Sequence, residues 1–131
     1  MKHLTFLTIT LLTLYAHGQV PNSNISADKN LYNNAATFRL YPTQNMWTFI
    51  KLNTRNGLIC QVQFDVKSNN RSVTDLNFIP IVAKEEEADD RFILYSTQNM
   101  YNFILLDQHD GRTWQVQWSL EAANRGIIQI Q

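Results

Sequence analysis

Apolar side chains recur along this chain with a period of two. Cys60, Val62, Phe64 and Val66 alternate with Gln61, Gln63 and Asp65, and Trp114, Val116, Trp118 and Leu120 alternate with Gln115, Gln117 and Ser119. Such alternation marks a strand with one face in a core and the other in water. It predicts Cys60 as a small buried hydrophobe on the inward face, and the four glutamines facing outward. Residues 46–52 and 100–106 are apolar on both faces and read as central strands. Between these segments lie Asn56-Gly57 and Asp110-Gly111, pairs that favour hairpin turns because glycine accepts positive φ. Shorter apolar segments at 38–41 and 92–95 precede Thr43-Gln44-Asn45 and Thr97-Gln98-Asn99, whose side-chain oxygens suit a tight turn. A fourth run, Phe78-Ile79-Pro80-Ile81, resembles Ile127-Ile128-Gln129-Ile130, though its connection is five residues longer, and Pro80 would confine it to a sheet edge.

The pattern is written twice, at an offset of 54 residues. Between residues 38–64 and 92–118, 14 of 27 aligned positions are identical, which reads as an internal duplication. Each unit supplies about four short strands, and one four-stranded unit cannot bury its own apolar face. The expected fold is therefore all-β: an antiparallel β-sandwich or closed barrel of about eight strands, built from two four-stranded repeats with pseudo-two-fold symmetry. Repeat 1 occupies 38–81 and repeat 2 occupies 91–131 of a single domain. Residues 84–90 between them carry six charges in seven positions and read as a solvated linker with room for one helical turn.

Residues 1–18 read differently. A charged start at Lys2, a threonine-diluted apolar stretch to Tyr15 and Ala16-His17-Gly18 form the pattern of a secretory signal peptide cleaved after Gly18. The apolar run falls short of the ~20 residues that span a bilayer, so no transmembrane segment is expected after cleavage. The expected location is periplasmic or secreted. Residues 19–37, rich in Asn and Ser, read as a polar arm.

Charge and composition narrow the function classes. With 11 Lys+Arg against 11 Asp+Glu and no basic run, the chain lacks the electrostatic footprint of a nucleic-acid binder. A single cysteine forms no internal disulfide, and no Cys/His cluster has zinc spacing. After cleavage one histidine remains, His109, in the loop Asp107-Gln108-His109-Asp110-Gly111. That loop lacks the alternating ligands and distant Glu of a calcium loop, and its counterpart carries Arg55, so a plain hairpin turn is the better reading. The acidic residues concentrate in the linker, where no rigid scaffold holds two carboxylates at the separation glycoside hydrolysis requires. The expectation is no enzyme, no catalytic residue, no cofactor and no metal.

What remains is a surface. Trp47 and Tyr101 occupy matched positions beside Asn45 and Asn99, and Gln61, Gln63, Gln115 and Gln117 are the candidate outward amides. Rigid aromatics next to amides suit a protein interface or a sugar ring; the competing reading places both aromatics in the core. The segments at 43–49 and 101–107, with Asp110-Gly111-Arg112-Thr113-Trp114-Gln115-Val116-Gln117-Trp118, resemble a repeat found in small exported proteins of gut Bacteroidetes. The resemblance covers most of 38–120 and implies a bacterial envelope location, with no activity attached. The leading expectation is a non-catalytic exported protein-interaction domain of the envelope, an immunity or inhibitor protein that binds a toxin or hydrolase being one form. The alternative is a glycan- or small-ligand-binding β module.

Overall fold

In the computed structural model the described residues are 35–131, so the signal-peptide expectation and most of the polar arm lie outside them. The fold is all-β and sandwich-like. One antiparallel sheet runs in the order β1 (Phe38–Pro42), β2 (Thr48–Asn53), β3 (Ile59–Gln63), β4 (Ser72–Asn77). The other runs β5 (Phe92–Ser96), β6 (Asn102–Asp107), β7 (Thr113–Gln117), β8 (Gly126–Ile130). Each sheet is an open meander, so the closed-barrel alternative is excluded.

The local chemistry explains the hairpins. Gly57 and Gly111 adopt φ of 76° and 80°, and each donates its N–H to the carbonyl of the last strand residue, Asn53 or Asp107. The Thr-Gln-Asn turns form as their side chains allow. Thr43 and Thr97 hydroxyls each donate to two carbonyls of their own turn, while the Asn45 and Asn99 amide oxygens accept the N–H of Trp47 and Tyr101, both at 2.9 Å.

The fourth strand differs from expectation. β4 is Ser72–Asn77, and Phe78, Ile79 and Pro80 form an exposed turn instead. Asn77 causes this: its Nδ2 donates to the carbonyls of Gly57 and Ile79, and its Oδ1 accepts the Ile79 N–H, which turns the chain away from the sheet. Ile81 and Val82 then fold back onto the core. With β4 so placed, Val62 faces Val73 and Val116 faces Ile127, again 54 residues apart.

The buried faces alternate rather than match. The first sheet buries Tyr41, Thr48, Ile50, Leu52, Ile59 and Gln61. The second buries Phe92, Leu94, Phe103, Leu105, Trp114 and Val116, which are the counterparts of Phe38, Leu40, Phe49, Lys51, Cys60 and Val62. A two-fold relation would bury the same positions in both units, so the pseudo-two-fold expectation gives way to a head-to-tail packing in which opposite faces of equivalent sheets meet. This overturns two further expectations. Cys60 lies on the outer face of the first sheet, half-buried, while Gln61 points inward with 2% exposure.

Backbone and ionic contacts join the units. Thr54, fully buried, accepts the Phe92 N–H at its carbonyl (2.8 Å) and the Asp90 N–H at its hydroxyl oxygen (3.0 Å), and donates that hydroxyl to Ala36. The acidic linker contains a single 3-10 turn, Lys84–Glu86, and it is pinned rather than free in solvent: Glu87 and Asp89 pair with Arg55, and Asp90 pairs with Arg39 at 2.7 Å. Arg91 and Asp107 form a buried pair at 2.9 Å, and the Asp107 carboxylate raises the Arg91 guanidinium above its ordinary range.

Inversion of the first sheet leaves Thr48 Oγ1 and Gln61 Oε1 buried without a partner, whereas their counterparts Asn102 and Gln115 bond each other on the outer face of the second sheet at 2.7 Å. Thr48→Val keeps the shape and removes the orphan hydroxyl. It is expected to stabilise the fold by about 1 kcal/mol, read as a rise in the denaturation midpoint, and no change or a loss would place Thr48 in a polar setting.

Candidate functional site

The outer face of the first sheet exposes a contiguous set of apolar side chains. Across its four strands one row reads Pro42, Phe49, Val62, Val73 and the next reads Leu40, Lys51, Cys60, Asp75. Phe38 extends the face at one end. At the other, the Phe64 ring meets Trp47 at 5.4 Å and Phe49 at 6.1 Å. Phe38, Leu40, Phe64 and Val73 are all exposed, and Trp47 is 37% exposed. Lys51 and Asp75 flank Cys60 in one row, so the face carries no net charge. A sheet that faces water on one side ordinarily turns polar residues outward, and contiguous apolar patches of this kind mark interaction sites.

The residues singled out by sequence disperse. Trp47 belongs to the apolar face. Tyr101, 45% exposed, packs its ring 5.4 Å from Trp118 and opens on a cleft of about 360 Å³ that Asn45, Gln117, Glu121 and Asn124 also line. The core reading of both aromatics therefore fails, because the strand ends carry them past the packed layer. Gln115 and Gln117 line a neighbouring hollow of about 200 Å³ on the second sheet with Asn124, Arg125 and Ile128. Gln61 is inside, Gln63 is half-buried, and the oxygens of Asn45 and Asn99 are committed to their turns. The structure thus groups Asn45, Tyr101 and Gln117 in one cleft, with Gln115 in the hollow next to it, and separates Trp47, Gln61, Gln63 and Asn99 from them.

Val62 was missed as surface because strand alternation assigns it to a core, and Val73 because residues 72–77 were not read as a strand. The signal that would have found them is in the sequence: both faces of both repeats are apolar, and one sandwich has only two inner faces to fill. For ions the arrangement is unpromising. Among the described residues no group of three or more His, Cys, Asp or Glu side chains is gathered so as to hold a metal, and no helix is long and apolar enough to cross a membrane. No family model matches the chain, and no curated protein or solved structure matches it.

The Cys60 thiol reports on this face. Burial raises its pKa, and the hydrogen bond from Sγ to Asp75 Oδ1 at 3.3 Å adds to the rise. Thiolate is the reactive form, so alkylation at mildly alkaline pH should run slower than for a free cysteine. Asp75→Asn should lower the thiol pKa and speed alkylation several-fold, shifting the pH–rate profile to lower pH; an unchanged profile would show that Asp75 does not act on the thiol.

Proposed function

We propose that this chain is a non-catalytic exported interaction domain of the bacterial envelope, and that the outer face of the first sheet is where a protein docks. The observation that carries this reading is the exposure of Phe38, Leu40, Trp47, Phe64 and Val73 on one face of a four-stranded sheet. Aromatic anchors inside an apolar patch of low charge are what interface cores are made of. Inhibition of a toxin or hydrolase is the form that suits a small exported domain whose described residues gather no metal-holding group of His, Cys, Asp or Glu side chains. The internal duplication belongs to the same reading: strand bounds and registers recur at the 54-residue offset in the first three strands, and the fourth differs by a bulge at Ile59/Cys60 and one residue at its end, which supports two copies of one unit. The resemblance to exported Bacteroidetes repeats supports the periplasmic or secreted location.

A second reading rests on the cleft beside Tyr101. Its half-exposed ring, with Gln117, Glu121 and Asn124 around it, suits a sugar ring stacked on an aromatic face.

Affinity capture with the wild-type chain and with Val73→Asp, from envelope and secreted fractions, tests the first reading against the second. A stoichiometric protein that survives high salt with wild type and is lost with Val73→Asp is the expected result. Captures that are empty, or alike for both chains, would overturn it, and glycan binding abolished by Tyr101→Ala would favour the second reading.

A further inference from the structure

The inner interface of this molecule joins one face of the first sheet to the opposite face of the second, and each sheet retains on its outer side four of the six residues that the other uses inside, the exceptions being Asn102 and Thr113 for Thr48 and Ile59, and Lys51 and Cys60 for Leu105 and Trp114. On the outer face of the second sheet stand Tyr95, Ile104, Leu106 and Gln115, at the positions of Tyr41, Ile50, Leu52 and Gln61, which form the inner face of the first. On the outer face of the first stand Phe38, Leu40, Phe49 and Val62, at the positions of Phe92, Leu94, Phe103 and Val116, which form the inner face of the second. All eight pairs are identical in residue type. At these eight positions the two open faces repeat the two halves of an interface that the molecule already contains once.

We infer that the outer face of the second sheet of one copy docks on the outer face of the first sheet of another copy, continuing the internal sheet stack head to tail. The inference deepens the interaction reading, on which it rests, by naming the partner as this same chain. The new interface would span four strands on each side, as the internal one does, so it offers comparable area. Its charges are compatible: the strand residues on the outer face of the second sheet include no Asp, Glu, Lys or Arg, and those on the face they meet carry one charge of each sign, Lys51 and Asp75. The lysine stem can lie along apolar surface while its ammonium reaches solvent.

One contact fixes the register. Inside the molecule the Leu94 N–H donates to the Tyr41 hydroxyl at 3.4 Å, and both residues are only 4% exposed. Fifty-four residues on and back, the same two side chains are Tyr95, 51% exposed, and Leu40, 59% exposed. Docking places Tyr95 of one copy against Leu40 of the next. Such a contact is heterologous, and it yields a ring if the rotation closes and a filament if it does not.

Sedimentation of the full chain over a wide concentration range tests this, with Leu40→Asp and Tyr95→Asp as the variants. Both positions are exposed in the single molecule, and unchanged circular dichroism and unfolding midpoint establish that each variant is folded. Wild type is expected to grow in mass with concentration, and each variant alone to remain monomeric. An equimolar mixture of the two variants should form dimers and nothing larger, because it contains one intact face of each kind. A monomeric wild type overturns the inference, as does a folded variant that assembles like wild type, which is the sign of a symmetric contact using one face twice. A monomeric wild type that still captures a different protein through Val73 removes only the self-docking, whereas indifference of every capture to Val73→Asp removes the interaction reading.

Discussion

The packing of Tyr41, Ile50, Leu52 and Ile59 from one sheet against Leu94, Phe103, Leu105 and Val116 from the other is the contact on which the rest of the structure depends. Each fully buried side chain of this size contributes about 1.5–3 kcal/mol, and the contact commits each sheet to one inward face. Both faces of each unit are apolar enough to be a core. Once the first sheet turns its Ile50 side inward and the second turns its Phe103 side inward, one apolar face of each sheet is left in water. The unpaired Thr48 and Gln61 oxygens, the half-buried Cys60 and the exposed Leu40 all follow from that single choice of side.

Polar contacts hold the choice in place at one end of the molecule. The buried Thr54 receives N–H groups from the segment that leads into β5, and the acidic linker closes over Arg39 and Arg55. The Arg91–Asp107 pair, with Arg91 also donating to the Glu86 carbonyl, ties the linker to the second hairpin. Breaking a buried pair of this kind by removing one partner ordinarily costs several kcal/mol. Gly57 adds a steric lock, because a Cβ there would come within 2.5 Å of Ile81 Cδ1, whereas the same addition at Gly111 meets open space. The two hairpins share one backbone design, and only the one between the sheets is packed upon.

Much of the fold was legible in the residues. Period-two alternation, Asn56-Gly57 with Asp110-Gly111, and the twice-used Thr-Gln-Asn turn each report local backbone preferences, and local preferences survive packing. The fourth strand was misplaced because Phe78 to Ile81 is more apolar than Ser72 to Asn77, and hydropathy does not register that Asn77 closes a turn through both ends of its amide. The side each strand buries was illegible for another reason. Cys60 and Gln61 obey the same alternation as Trp114 and Gln115, yet the inward member is Gln61 in one unit and Trp114 in the other. That selection is made between sheets, and no single strand encodes it. The candidate site suffered in both ways: Trp47 and Tyr101 were found through their matched positions, whereas Leu40 was hidden by looking like core and Val73 by lying in the strand that hydropathy misplaced.

Cross-sheet nuclear Overhauser effects on the dilute protein test the alternation of faces most directly. The account predicts contacts from the Ile50 and Leu52 methyl groups to protons of Leu94, Phe103, Leu105 or Val116, with none from Phe49 or Val62 to those residues. Contacts from Phe49 and Val62 to Phe103 and Val116 would mean that both units bury the same face, and the head-to-tail packing would then be wrong.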